Sequence, residues 1–151
     1  MTALLVDLDG ALGDTRRLWD DWLAGAASVL GVDVTALPAD RAEAARVLDA
    51  GEARNWRVLL ERFAEDRAPV YLRPAADVSA ALRRLSATGA TVAVFSDAPD
   101  ELARVALAQL GAARRISALE AGAGALERLQ VRFGDGAVVV ATREELVAAA
   151  S

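Results

Sequence analysis

The sequence predicts an α/β fold: a three-layer parallel sheet with helices on both faces and a small helical insert after the first strand. An apolar run, Leu4-Leu5-Val6, ends in Asp7-Leu8-Asp9-Gly10, the pattern of a buried strand leaving a sheet. From residue 74 onward, short apolar runs alternate with stretches of helical periodicity, which is how a parallel sheet covered on both sides is built. Between these two regions the apolar residues recur three and four apart, as in helices.

Residues 3–8 read as the first strand, expected to be internal in the sheet. Strand alternation puts Asp7 and Asp9 on one face and Leu8 on the other. The insert opens with a helix over residues 15–31, where Leu18, Trp19, Trp22, Leu23, Ala26, Val29 and Leu30 recur at helical spacing and Gly31 is the stop. Residues 38–50 and 54–66 read as two more helices, the second carrying Trp56, Leu59, Leu60 and Phe63 on one stripe. All three tryptophans fall in this insert, and such a stripe reads as packing between helices rather than a cofactor platform. The two prolines of Ala68-Pro69-Val70-Tyr71-Leu72-Arg73-Pro74 suggest a return linker. Helices are then expected at 74–88, 99–110, 122–131 and 142–150, and strands at 91–95, 115–119 and 137–141. Ligands of such sheets bind at the carboxyl ends of the strands, where Asp7, Asp9, Ser96 and Ala141 all fall.

Composition removes many chemistries. The chain has no cysteine and no histidine, so disulfides, thiolate metal sites, imidazole zinc sites and histidine-based triads are excluded. All 17 basic residues are arginine, which also excludes a Schiff-base lysine and a P-loop lysine. Alanine makes up about a quarter of the 151 residues. A net charge of −5 offers no general attraction for a phosphate backbone, so nucleic acid is not an expected partner. No apolar run reaches the length of a membrane span and no basic leader opens the chain, so the expected location is cytoplasmic. Gly122-Ala123-Gly124 lacks the third glycine of a dinucleotide fingerprint and reads as a strand-to-helix turn. The arginine pairs at 16–17, 83–84 and 114–115 read as solvated faces.

Two carboxylates on one face at a strand end can share a cation or divide nucleophilic and acid–base duties. The plainer reading makes Asp9-Gly10 a turn and Asp14 or Thr15 a helix N-cap.

The start of the chain resembles motif I of the haloacid dehalogenase-like superfamily, a hydrophobic strand followed by Asp-x-Asp-Gly-Thr-Leu-x-Asp-Ser/Thr. Asp7, Asp9, Gly10, Leu12, Asp14 and Thr15 match, and Ala11 stands where the pattern has Thr. Thr91-Val92-Ala93-Val94-Phe95 followed by Ser96-Asp97 resembles motif II, whose hydroxyl holds the phosphoryl group. The resemblance implies a Rossmann-like core over residues 1–14 and 74–151, with residues 15–73 forming a helical cap over the site. It also implies Asp7 as nucleophile, Asp9 as acid–base group, Ser96, Asp97 and Gly10 at the phosphate, and magnesium bound by Asp7, the Asp9 carbonyl and an acid of motif IV.

Departures from the pattern are equally specific. Motif III normally supplies a lysine, and none exists here; the matching stretch is Leu119-Glu120-Ala121-Gly122-Ala123-Gly124. Motif IV aligns Ala141 with its first acid and Glu145 with its second, so the magnesium site is expected to be weakened, with Asp7, Asp9 and Glu145 as its remaining residues. Arg143, or alternatively Arg114 or Arg115, is a candidate to replace the lysine charge, although guanidinium and ammonium are not equivalent. The expected function is a slow or specialised phosphohydrolase acting on a small phosphorylated molecule through an aspartyl-phosphate. The alternative is a catalytically impaired relative that binds a phosphorylated ligand or a partner protein, or pairs with its own copy. A dehalogenase on the same fold is disfavoured because that chemistry has no use for Asp9.

Overall fold

The computed structural model describes residues 2–151. Its centre is a parallel sheet of four strands, β1 (Ala3–Asp7), β2 (Thr91–Ser96), β3 (Ala118–Ala121) and β4 (Val138–Val140), in the order β3-β2-β1-β4. The strand carrying the acidic motif is therefore internal, as expected, with Asp7 beside Phe95 of β2 and Val6 beside Val140 of β4.

Alternation along β1 divides the core. Leu4 and Val6 face a cluster built with Val78, Leu82 and Leu85 of α4 (Ala76–Ala87), Leu107 of α5 (Asp100–Gln109) and Leu146 of α7 (Arg143–Ala149). Leu5 and Ala93 face Leu129 of α6 (Ala125–Phe133) on the other side. A strand buried on both faces needs the unbroken apolar run seen in Leu4-Leu5-Val6.

The insert holds α1 (Arg16–Leu30), α2 (Arg41–Ala50) and α3 (Trp56–Tyr71). Their buried stripes meet in a second core of Leu18, Trp19, Trp22, Leu48, Trp56 and Leu60, which closes onto Ala98 and Leu102 beside β2. The three indole rings lie with centroids 5.3 to 6.3 Å apart. Of the stripe expected on α1, Val29 turns outward and is 73% exposed, while Leu30 beside it packs against this core.

Several boundaries differ from the sequence reading: β1 ends at Asp7, α2 starts at Arg41 rather than 38 and α6 at Ala125 rather than 122, and two further shifts have a clear local cause. The expected linker begins later, because α3 runs through Pro69 to Tyr71. A proline in the final turn gives up one amide bond, and the Leu72 N–H restores the ladder by donating to the Ala68 carbonyl at 2.8 Å. The third strand starts at Ala118 rather than 115, since Ala113–Arg115 forms a short 3-10 turn that follows the buried Ala112.

Candidate active site

At the end of β1 the chain makes one wide helical turn, residues 8–12, closed by the Gly13 N–H donating to the Leu8 carbonyl at 3.0 Å. Leu8, Ala11 and Leu12 are buried, so the apolar side of the turn anchors in the core and leaves Asp9 and Gly10 at the strand ends. Gly10 lies against the end of β4: a Cβ there would stand 2.2 Å from the Ala141 carbonyl oxygen. Only glycine allows that approach.

Asp9 is saturated. Its Oδ1 accepts from the Thr15 N–H at 2.7 Å and the Thr15 hydroxyl at 2.5 Å. Its Oδ2 accepts from the Ser96 hydroxyl at 2.8 Å and from Arg41 Nη2 at 2.7 Å. Four donors fill the roughly four lone-pair sites of a carboxylate. Ser96 is itself 1% exposed, and its oxygen accepts the Ala98 N–H at 3.1 Å, so that hydroxyl is committed in both directions.

Asp7 is engaged on one side only. Its Oδ1 accepts the Asp9 N–H at 3.0 Å, and among the described residues no hydrogen bond reaches Oδ2. Burial pushes the Asp7 carboxyl above the ordinary carboxylate range; the Asp9 N–H opposes that rise and the charges of Asp9 and Asp97 add to it. Asp7 and Ser96 line one cleft of about 270 Å³, together with Phe95, Gly122, Gly124 and Leu126. Gly122 and Gly124 have φ of +83° and +71°, the left-handed turn that carries the chain from β3 into α6, and this bears out the reading of that stretch as a strand-to-helix turn.

The cation at this site is Arg41, which sequence reasoning did not single out. It is the first residue of α2, just after Asp40, whose side chain caps the helix by accepting the Ala42 N–H at 2.8 Å. Arg41 Nη1 donates to Thr15 Oγ1 at 2.6 Å, and Nη2 donates to Asp9 Oδ2 and Asp97 Oδ1, both at 2.7 Å. Burial works against its charge, but hydrogen bonds and attraction from Asp97 and Asp9 outweigh burial and hold the guanidinium proton more firmly than usual. Two signals were present in the sequence. Arg41 falls on the stripe of Ala44, Ala45 and Leu48, and it places a positive charge at the positive end of a helix, which the macrodipole disfavours.

The structure thus brings together Asp7, Asp9, Ser96 and Asp97 of the expected set, places Gly10 at β4, and adds Thr15 and Arg41. Arg143 is held elsewhere, pairing with Asp77 at the start of α4 through contacts of 2.6 to 3.0 Å on the exposed surface. Glu145 serves the start of α7: Thr142 Oγ1 accepts the Glu145 N–H at 3.1 Å, while the Glu145 carboxylate accepts from the Thr142 hydroxyl at 3.2 Å and the Ala141 N–H at 3.5 Å. This is the reciprocal logic of a capping box.

Magnesium is usually held by one or two carboxylates with waters and substrate phosphate. Here Asp7 offers one uncommitted carboxylate oxygen, the Asp9 carboxylate is filled so that only its carbonyl is left as the expected ligand, Glu145 caps its helix, and among the described residues no three His, Cys, Asp or Glu side chains converge as ligands. These residues do not by themselves build a magnesium site.

No family model matches the sequence, and no curated protein matches it significantly. Solved structures do. CbbY from Rhodobacter sphaeroides, in complex with phosphate, is 15% identical with a TM-score of 0.68, over 92% of this chain and 76% of that one. A putative beta-phosphoglucomutase from Thermotoga maritima is 19% identical with a TM-score of 0.55, over 99% and 82%. Protein Tyrosine Kinase A of Mycobacterium tuberculosis is 19% identical with a TM-score of 0.53, over 99% and 98%. At these identities the likeness speaks for the fold: the chain has the haloacid dehalogenase-like fold.

Proposed function

We propose that this chain is a phosphohydrolase of small phosphorylated molecules, working through an aspartyl-phosphate on Asp7. One observation carries the reading: Asp7, whose Oδ2 accepts no hydrogen bond among the described residues, and Ser96 line the same cleft at the carboxyl ends of β1 and β2. In the proposed reaction Asp7 Oδ2 attacks phosphorus, the ester P–O bond breaks, and the leaving oxygen takes up a proton. Water then attacks the phosphorus of the acyl phosphate, releasing inorganic phosphate and restoring the Asp7 carboxylate. Asp9, whose N–H is bonded to Asp7, is the group proposed to pass these protons, and it can do so only when a donor among Thr15, Ser96 and Arg41 lets go of it. No step is assigned to magnesium, for which the residues of the site supply too few free ligands.

The test is phosphate release from a panel of small phosphate esters by the wild type and by Asp7→Asn, with borohydride trapping of the acyl phosphate at Asp7 read by mass spectrometry. Release above the Asp7→Asn control, with trapping confined to residue 7, is the expected result. Equal release by both proteins would overturn the proposal. The saturation of Asp9 favours a second reading, a binding protein for a phosphorylated ligand or partner. That reading expects saturable phosphate binding without turnover.

A further inference from the structure

The site gathers three carboxylates, Asp7, Asp9 and Asp97, and a phosphate brings further negative charge to them. Among the described residues, the guanidinium in contact with these acids is that of Arg41, whose side chain is 4% exposed. It arrives from α2, on the insert, and not from the strand ends where the acids sit. Its hydrogen bonds go to Asp9, Thr15 and Asp97, and Asp97 lines the cleft that Asp7 and Ser96 border. Its partner oxygen on Asp9 is the same one that holds the Ser96 hydroxyl. Cation and hydroxyl are therefore both tied to Asp9 Oδ2, and both are the donor types that bind phosphate oxygens.

We propose that Arg41 is the phosphate-binding cation of this site, carried on the insert in place of a lysine at the strand ends, and that an entering phosphate takes Arg41 and Ser96 from Asp9. The exchange replaces two hydrogen bonds to a carboxylate oxygen with two hydrogen bonds to phosphoryl oxygens, and it frees Oδ2 of Asp9. Acid–base competence of Asp9 thereby depends on the site being filled. Asp97, with its side chain 56% exposed, competes for the same Nη2 and sets how readily Arg41 is released. This inference rests on the reading that a phosphate enters the cleft beside Asp7.

Inorganic phosphate is the probe. Calorimetric titration of the wild type should give saturable binding, weakened at least about tenfold in Arg41→Gln, the scale of a lost charge-assisted hydrogen bond. Arg41→Lys should fall between, because it keeps the charge but not the fork. Asp97→Asn should bind more tightly than the wild type, by about threefold or more, since a competitor for Nη2 has lost its charge. Removing a buried arginine leaves Asp9 and Asp97 unpaired and can unfold the chain, so the wild type supplies an independent reading: the Arg41 Nε–H resonance should move with phosphate along the same saturation curve. Unchanged affinity in a folded Arg41→Gln, or an Nε–H signal that stays fixed at saturation, overturns the assignment. Turnover that persists without dependence on Arg41 sinks this inference alone, Arg41-dependent binding without turnover sinks hydrolysis alone, and a wild type that binds no phosphate sinks both.

Discussion

Ser96 and Asp9, 87 residues apart in sequence, are joined by a 2.8 Å hydrogen bond that crosses from the end of β2 to the turn after β1. Because the Ser96 oxygen also accepts the Ala98 N–H, Ser96→Ala removes a donor from one buried group and an acceptor from another. The expected cost is about 1–3 kcal/mol, read as a lower melting temperature, accompanied by weaker phosphate binding. A variant with wild-type stability would mean that water restores both bonds.

Asp7→Asn should abolish turnover and raise stability at neutral pH. A carboxyl held above its ordinary range favours the protonated form in the folded state, so its contribution to stability is fully present below the ordinary value near 3.8 and is lost as pH rises through the raised value. Asparagine keeps the acceptor for the Asp9 N–H and carries no charge. Its melting temperature should therefore exceed that of the wild type at pH 7, at about 2–4 °C per kcal/mol gained for a chain of this size. The gain should vanish on acidification below the ordinary carboxylate range, and a gain that grew on acidification would contradict the assigned direction.

Gly10→Ala places a methyl group against the Ala141 carbonyl, with backbone on both sides of the clash. The expected loss is about 1–3 kcal/mol, the scale of overpacking in a tight site. Amide exchange should report the damage locally, at the ends of β1 and β4, before the rest of the sheet.

Ala141→Asp should create magnesium affinity. Val6 pairs with Val140, so the next residues, Asp7 and Ala141, lie side by side on one face at the strand ends. The added acid should lower the melting temperature without metal, through repulsion with Asp7, and magnesium should restore it by mass action. Equal magnesium shifts in wild type and variant would place Ala141 away from Asp7. Glu145→Gln on the same background separates a cap from a ligand: a cap keeps its hydrogen bonds as an amide, whereas a ligand would lose magnesium affinity.

The sheet and the paired acids were legible because they depend on local pattern. Leu4-Leu5-Val6 reads as a strand with at least one buried face, and the structure buries both; the strand ends at Asp7, however, so Asp9 reaches the site from the helical turn of residues 8–12 and not by strand alternation. Arg41 was harder to see, because its role is made by the approach of α2 to Asp9 and Asp97 across 32 and 56 residues of sequence. Its place on an apolar stripe was the available sign. Arg143 failed as the replacement cation for a comparable reason: Asp77, 66 residues earlier, stands closer to it than the acids of the site. Pro69 was a misleading stop, since a final helical turn loses little by lacking one N–H.

The three tryptophans have a use beyond packing. Their rings crowd within 6.3 Å of one another, against Ala44, Ala45 and Leu48 of the same short helix whose first residue is Arg41, and against Ala98 just past Ser96. The rings sit on α1 and α3 and share one buried cluster with α2, so any shift of α2 as Arg41 changes partner is expected to reach the coupled indole chromophores. The molecule therefore carries its own optical gauge: near-ultraviolet circular dichroism and intrinsic fluorescence of the unlabelled chain should register an occupied phosphate site, with no dye and no reporter substrate.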